Sequence, residues 1–132
     1  MVSSLKVKTV KQTYHIEAPI EGVWEALVNP DEIEAWGAGT AVMDDKEETE
    51  FSLWNGDIYG KNTEVKKNEK LVQEWYAGDW PEPSIVTFLL TPDGNGTKIE
   101  LIHENIPDKE AKEIESSWKK DYLGEIKNLL EE

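Results

Sequence analysis

The part of the sequence that determines the architecture begins with Phe51-x-Leu53-x-x-Gly56-x-Ile58-x-Gly60 and ends with Trp118-x-x-x-Tyr122. Between them lie Val72-x-x-Trp75, Trp80-Pro81, Gly96-Thr97-x-Ile99-x-Leu101 and Ile106-Pro107. Turn residues thus alternate with short apolar runs, at intervals of roughly ten residues, which is typical of antiparallel strands joined by tight turns.

Two turns are well defined by their residue types. Asn55-Gly56 favours a hairpin, because asparagine and glycine tolerate positive φ, and Asp93-Gly94-Asn95-Gly96 has the same character. Trp80-Pro81-Glu82-Pro83 is predicted to be a loop, since proline does not fit a central strand. The strands between these breaks are predicted at 48–54, 58–65, 71–77, 84–91 and 97–104.

The segment before this region predicts one more strand and two short helices. Residues 6–17 alternate, with Val10, Tyr14 and Ile16 on one face. Asn29 is the predicted N-cap of the second short helix, and Gly37 its C-terminal residue. The first helix is indicated by apolar residues at helical spacing, namely Val23, Trp24, Leu27 and Val28.

A long helix closes the chain. Asp108, after Ile106-Pro107, is its predicted cap. Its apolar stripe recurs at spacings of three and four and contains Ala111, Ile114, Trp118, Tyr122, Ile126 and Leu129.

These elements predict an α+β fold in a single domain over residues 1–132. A curved antiparallel sheet of about six or seven strands grips the long C-terminal helix, and two short helices follow the first strand. The sheet has one apolar face, and the C-terminal helix is the element large enough to cover it. A sheet that curls around a helix seldom closes fully, so we expect a cavity between them.

The charge is strongly acidic, with 28 acidic against 14 basic residues and a net charge of −14; all the basic residues are lysine. This excess disfavours binding to nucleic acid and to acidic membranes, which both need a basic surface. Two explanations of the negative charge remain, namely solubility and binding to a basic protein partner. The N-terminal residues lack the apolar segment of a signal peptide, so we expect a cytoplasmic protein.

Catalytic and metal-binding motifs are absent from the sequence. There is no cysteine, and His15 and His103 lack the spacing of a metal site. No Gly-x-Ser-x-Gly and no phosphate-binding glycine loop occurs. We therefore expect no cofactor and no metal, and favour a protein that is not an enzyme, although His103 is the one candidate for a general base.

The motifs resemble a known family. Residues 18–27, followed by Pro30-Asp31-x-Ile33-x-x-Trp36, resemble the opening of the START-like, or SRPBCC, superfamily. The later motifs, from Phe51 to Trp118, resemble the C-terminal domain of Aha-type activators, which stimulate the ATPase of the ninety-kilodalton heat-shock chaperone. The resemblance implies the helix-grip fold and a chaperone partner.

Residues on the inward strand faces and on the apolar helix stripe are candidates to line the cavity. Apolar walls would supply affinity for a hydrophobic small molecule, and Gln73 and His103 would orient it. The ligand-binding candidates are Trp36, Met43, Phe51, Gln73, Trp75, Phe88, His103, Trp118 and Tyr122.

Other aromatic residues fall near turns or on the opposite strand phase. Trp54, Tyr59 and Tyr76 are therefore candidates for an exposed protein-contact patch, whereas Trp80 is expected to anchor its loop on the sheet edge.

The sequence therefore indicates two non-enzymatic functions, binding of an apolar small molecule and contact with a chaperone-type protein. The alternative is a polyketide-cyclase-like enzyme that acts on a hydrophobic small molecule.

Overall fold

The computed structural model describes residues 7–37, 39–77 and 82–131. Six strands, β1 to β6, lie in one antiparallel sheet, and four α-helices, α1 to α4, accompany them. The strands are β1 (Val7–Ile16), β2 (Thr49–Leu53), β3 (Ile58–Lys66), β4 (Lys70–Ala77), β5 (Ser84–Asp93) and β6 (Gly96–Pro107). The helices are α1 (Ile20–Val28), α2 (Pro30–Trp36), α3 (Asp108–Ser117) and α4 (Leu123–Glu131), with a π-helical turn, Trp118–Tyr122, between α3 and α4.

The sheet order is β1-β6-β5-β4-β3-β2, so that only β1 departs from a simple meander. Every neighbouring pair is antiparallel. The helix-grip fold predicted by the sequence is confirmed, with the described residues forming six strands. The C-terminal helix, a name used below for residues 108–131, packs on the inner face of this sheet.

Local sequence explains the short elements. Asn29 caps α2 as predicted, because its Oδ1 accepts a hydrogen bond from the amide of Asp31 at 2.9 Å. Gly37 ends that helix in the left-handed conformation, with φ of 111°. Between β2 and β3, Asn55 and Gly56 both have positive φ, as the predicted hairpin requires.

The inward strand faces are those that alternation predicts. Residues from β4, β5 and β6 point to the C-terminal helix and are at most 4% exposed, namely Leu71, Gln73, Trp75, Val86, Phe88, Leu90, Ile99, Leu101 and His103. Val23, Trp24 and Leu27 of α1 join this core. His15, which alternation places on the outer face, is partly exposed and contacts Asp93 and Glu17.

The C-terminal helix departs from the prediction in two places. Asp108 is its first residue and not its cap: Pro107 precedes it without a side-chain cap, and the Asp108 carboxylate pairs instead with Lys8 at 3.3 Å. The helix is also not uniform, since the amide of Leu123 donates to the carbonyl of Trp118, five residues back. This wider turn presents Trp118 and Tyr122 together to the sheet.

Two predictions concern residues that the structure does not describe. The loop position of Trp80-Pro81 and the anchoring role of Trp80 lie outside the described residues. Within the described ranges, no helix is long and apolar enough to cross a membrane.

Candidate functional site

An aromatic cluster fills the interface between the C-terminal helix and the sheet, with Tyr122 at its centre. The Tyr122 ring centroid lies 4.5 Å from Trp118 and 4.6 Å from Trp36. Trp75 of β4 and Phe88 of β5 follow at 5.9 and 6.0 Å. Tilted rings at these separations are the favourable arrangement for aromatic pairs, so this part of the interior is packed ring against ring.

His103 lies in this interface, and both of its ring nitrogens are occupied. The indole N–H of Trp118 donates to Nδ1 at 2.9 Å, and Nε2 lies 2.8 Å from the Ser84 hydroxyl. Ser84 in turn donates to the carbonyl oxygen of Trp75 at 3.2 Å. Because Nδ1 accepts, the proton is on Nε2 and the ring is neutral. Burial lowers the pKa of His103 to about 3, which keeps the ring uncharged and without a free lone pair for a ligand.

A second hydrogen-bonded chain satisfies the buried amides. The indole N–H of Trp75 donates to Oε1 of Gln73 at 2.8 Å. Gln73 Nε2 then donates to Oδ1 of Asn62 at 2.9 Å, and Asn62 Nδ2 donates to the carbonyl oxygen of Asp44 at 3.0 Å. Gln73 and Asn62 are both fully buried. Paired polar groups of this kind fix side-chain positions, so the rear wall of the aromatic cluster is rigid.

An open cleft of about 380 Å³ lies on the other side of the cluster, between the C-terminal helix and the β2–β3 turn. This volume lies in the range of small-molecule sites. Its floor is apolar and largely aromatic, and consists of Trp54, Ile58, Trp75, Ala77, Ile114, Trp118 and Tyr122, while Gly37 and Ser117 complete the wall.

The rim of the cleft carries only acidic charge among the described residues. Five carboxylates line it, namely Asp57, Glu110, Glu113, Asp121 and Glu125. Four of these come from the C-terminal helix and one from the turn after β2. The cleft therefore combines a low-polarity floor with a negative wall.

Tyr122 joins the cluster to the cleft. It is only 2% exposed, and its hydroxyl has no hydrogen-bond partner among the described residues. Burial raises the pKa of this phenol, so it is an uncharged donor at neutral pH. An unpaired buried hydroxyl is costly, and the residue that carries it is one of those that line the cleft.

The nine predicted site residues divide into two groups. Trp75, Trp118 and Tyr122 line the cleft. The other six, which are at most 5% exposed, lie in the packed interior behind it, namely Trp36, Met43, Phe51, Gln73, Phe88 and His103. The structure brings eight of the nine, all but Phe51, into the aromatic cluster or the hydrogen-bonded chains beside it; Met43 joins them because its sulfur accepts from Gln73 and Asn62. The ligand-binding role of all nine stays a prediction.

Sequence reasoning missed the acidic rim and the contribution of Trp54 to the floor. A signal for the rim exists, because Glu110, Glu113, Asp121 and Glu125 recur at helical spacing beside the apolar stripe. Nothing in the sequence links Asp57 to them, since only the fold brings the β2–β3 turn to the C-terminal helix.

The outer face of the sheet has a separate apolar feature, the tyrosine patch, defined by Val42, Tyr59 and Tyr76. Tyr59 and Tyr76 are directly paired across β3 and β4, and their rings stack with centroids 5.2 Å apart and planes 6° apart. Val42 is 58% exposed and Tyr59 42%. Of the aromatic residues expected to be exposed, Tyr59 is exposed, whereas Tyr76 and Trp54 are half-buried.

The family model and the similar proteins found by comparison agree on one family. The family model described as Activator of Hsp90 ATPase homolog 1-like protein matches residues 17–131. The activator of 90 kDa heat shock protein ATPase homolog of Dictyostelium discoideum is 28% identical over 126 residues, which cover 93% of this chain and 33% of that protein. The chain spans about a third of the length of the curated relatives it matches.

Two solved structures have the same fold. The crystal structure of an HSP90 activator from Plasmodium falciparum matches with a TM-score of 0.84 and 29% identity, over 93% of this chain and 96% of that one. The solution structure of the Aha1 dimer from Colwellia psychrerythraea matches with a TM-score of 0.82 and 20% identity, over 94% and 96% of the two chains.

Proposed function

Because the chain belongs to the Activator of Hsp90 ATPase homolog 1-like family, we propose that it binds a chaperone ATPase of the ninety-kilodalton heat-shock class and stimulates its hydrolysis of ATP. The family match over residues 17–131 carries the proposal. The Plasmodium falciparum structure adds support, because a chain of nearly the same extent is described as an HSP90 activator. We expect this action in the cytoplasm.

Stimulation of another protein requires a contact surface and no catalytic group in the activator itself. The tyrosine patch supplies such a surface, since exposed tyrosines with a rigid stacked geometry are frequent anchors of protein interfaces. Lys61, Glu50 and Glu74 border the patch and give it a polar rim. The proposal therefore places the chaperone contact on the outer face of β3 and β4.

The test is the ATPase rate of a purified ninety-kilodalton heat-shock protein with and without a saturating amount of this chain. We expect stimulation, and we expect the double variant Tyr59→Ser/Tyr76→Ser to reduce the apparent affinity about tenfold or more. The matched control is Val7→Ser, which removes an exposed apolar side chain from the opposite edge strand. An unchanged rate at saturation would reject the proposed activity, and equal loss in both variants would reject the patch.

A second candidate function is binding of an apolar small molecule in the cleft. The aromatic floor and the volume of about 380 Å³ favour it. Binding to the folded state alone raises the thermal midpoint with ligand concentration, so a thermal-shift screen with fatty acids, sterols and aromatic polyketides tests it. The absence of any shift would count against a ligand role.

The cyclase alternative is disfavoured by the geometry of His103. A general base needs a lone pair within reach of its substrate, and the Trp118 indole occupies the one that this neutral ring has. If His103→Gln retained a measured cyclase turnover, the proposed catalytic role of this residue would be excluded.

A further inference from the structure

A hydrogen-bonded network joins the end of β1, an edge strand of the sheet, to the last turn of α4. Lys127 donates from Nζ to the backbone carbonyl of His15 at 2.7 Å. The backbone amide of Glu17 donates to Oε2 of Glu131 at 2.9 Å, and Lys127 pairs with the same oxygen at 2.7 Å. The hydrogen bonds from Lys127 and Glu17 lower the pKa of Glu131, and the positive charge of His15 adds to this. One ion pair of α4 thus binds both a carbonyl and an amide at the end of β1.

The side chain of His15 belongs to the same network, and its geometry requires two protons on the ring. Nδ1 lies 2.9 Å from a carboxylate oxygen of Asp93, and Nε2 lies 2.9 Å from one of Glu17. A carboxylate only accepts hydrogen bonds, and a neutral imidazole has a single N–H. The imidazolium can therefore donate to both carboxylates, whereas in the neutral ring one nitrogen lone pair would face a carboxylate oxygen.

The charged side chains around His15 come from each element packed against it. Those of the bend after β1, of β5, of β6 and of α4 are Glu17, Asp93, Lys98, Glu100, Lys127 and Glu131. Lys98 and Glu100 pair with each other at 3.6 Å, so that three carboxylates and one lysine remain, and the imidazolium offsets part of this negative charge. The clasp, a name used below for the network, consists of His15, Glu17, Asp93, Lys127 and Glu131.

The last turn of α4, residues 128–131, has little stability of its own. It contains no basic residue, and a carboxylate such as that of Glu131 is unfavourable at the negative end of the helix dipole. Helix ends of this kind open at a small cost in free energy, so a change in one surface contact is enough to shift their population. Leu129 and Leu130 are partly buried against the core, and loosening of the turn exposes them.

Two other contacts between the C-terminal helix and β1 contain no histidine, the side chain whose ordinary pKa lies near neutrality. Lys8 pairs with Asp108, the first residue of the helix, at 3.3 Å. Further along, the side-chain amide of Gln12 donates to the carbonyl oxygen of Glu115 at 2.9 Å. The same strand therefore holds the helix at both ends, and the contact at the C-terminal end is the one that includes an imidazole.

We propose that the clasp responds to protons: it holds the last turn of α4 on the end of β1 while the His15 ring carries two protons, and it loosens this turn when the ring is neutral. Hydrogen bonds to Asp93 and Glu17 raise the pKa of His15, so the clasp is closed below this raised value and opens as the pH rises through it. The exposure of the two leucines at the end of the helix thus depends on pH. The proposal is independent of the tyrosine patch and of the cleft.

The test is amide hydrogen exchange of the whole chain, followed by NMR on both sides of the pH at which the His15 ring resonances titrate. Rates are divided by those of unstructured peptides, because intrinsic exchange also depends on pH. Across this titration, we expect protection of the amides of Leu129, Leu130 and Glu131 to fall about two- to fivefold, the effect of an exposed ion pair. Protection in α3 should stay constant, and the amide resonance of Glu17 should shift with the same midpoint.

Three variants separate the clasp from a general effect of pH. His15→Gln, which cannot take up the proton, should show the low protection of the alkaline wild type at every pH. Glu131→Gln keeps an acceptor for the amide of Glu17 but removes a negative charge, and should reduce the step. The matched control Lys8→Met breaks the ion pair at the other end of the same helix and should leave the step in α4 unchanged.

Three outcomes would overturn the proposal. The first is constant protection of α4 while His15 titrates, and the second is a step that persists in His15→Gln. The third is loss of the step in Lys8→Met, which would mean that the helix opens as a whole. His103 does not interfere, since burial lowers its pKa to about 3. None of these outcomes bears on the ATPase assay or on the ligand screen.

Discussion

The two histidines show how burial and charge set the protonation of one residue type in opposite ways. His103 is buried without a charged partner, and burial lowers its pKa to about 3. His15 is on the surface between Asp93 and Glu17, and hydrogen bonds to these two carboxylates raise its pKa above the usual value. At neutral pH the interior histidine is a fixed neutral hydrogen-bonding group, and the surface histidine holds a proton more readily.

The pH dependence of stability follows from these directions. Since unfolding restores the ordinary pKa of 6.5 to His103, the unfolded chain binds an extra proton between pH 6.5 and about 3. His103 therefore lowers stability as the pH falls through this window, by up to about 1.4 kcal/mol per pH unit. His103→Gln should flatten this part of a plot of thermal midpoint against pH.

His15 provides the comparison, since its contribution to stability changes with pH in the opposite direction. Its pair with the two carboxylates stabilises the fold below the unfolded pKa, and this is lost as the pH rises through the raised folded value. His15→Gln should therefore lower stability on the acid side of the raised pKa of His15 and leave the alkaline side as in the wild type. If His103→Gln kept the full acid slope, the neutral buried state would be wrong.

The hydroxyl of Tyr122 is a second prediction at this scale. Because it is buried without a partner among the described residues, Tyr122→Phe should raise the free energy of unfolding, on the order of 1 kcal/mol. Chemical denaturation measures it, with Tyr76→Phe, which removes a hydroxyl from the partly exposed outer face, as the control without effect. A destabilised Tyr122→Phe protein would mean that the hydroxyl has a partner in solution.

At the scale of elements, the strands were predictable because alternation reports a physical requirement. Leu71, Gln73 and Trp75 had to share a face, since successive side chains of a strand point to opposite sides. The hairpin at Asn55-Gly56 was predictable for a similar reason, because few residues tolerate its positive φ. Both signals are local, and the structure confirms them.

The π-helical turn was not predictable from the same patterns. The apolar stripe through Trp118, Tyr122 and Ile126 has ordinary α-helical spacing, so nothing in it announces a hydrogen bond five residues back. The cap assigned to Asp108 failed for another reason: the helix begins at Asp108 itself, so Pro107 occupies the cap position, and the Asp108 carboxylate pairs with Lys8 of β1. Both depend on contacts between distant parts of the chain.

Gly124 is the residue that this turn requires. A Cβ placed there would overlap the carbonyl oxygen of Lys119. Gly124→Ala should therefore destabilise the protein by about 1–3 kcal/mol, although alanine is normally the better helix former. Gly22→Ala in α1 is the matched control, since its Cβ meets nothing within 4 Å, and it should stabilise by about 0.4–1 kcal/mol. Denaturant midpoints measure both, and a stable Gly124→Ala protein would mean that the turn is regular.

At the scale of the whole molecule, some charged side chains have an oppositely charged neighbour and others do not. On the outer face, the hydrogen bond from Lys61 to Glu48 at 3.2 Å raises the pKa of Lys61, and its register neighbours Glu74 and Glu50 add to this. At the cleft, the charged side chains among the described lining residues are all carboxylates. Composition alone gave the net charge of −14, but which charges are compensated depends on the fold.

The cleft as a unit was beyond the reach of the sequence. Four of the five carboxylates at its rim could have been inferred from helical spacing, namely Glu110, Glu113, Asp121 and Glu125. The remainder required knowing that Trp54 and Asp57 approach the C-terminal helix, which is set by the twist and order of the sheet. The sequence also predicted a cavity inside the grip, whereas aromatic rings fill most of that space and leave a cleft open to the surface.

The last prediction concerns the difference in charge between the cleft and the outer face of the sheet. Asp121→Asn should raise stability by about 0.2–0.5 kcal/mol, because its like-charged neighbour Glu125 lies four residues away on the helix. Glu74→Gln should instead leave stability unchanged or lower it slightly, since Lys61 keeps its hydrogen bond to Glu48 and loses only the weaker attraction of Glu74. Thermal midpoints at low salt measure both, and high salt should bring the cleft variant back to the wild-type value. A cleft variant no more stable than the wild type would mean that this like-charged pair on the helix costs no stability.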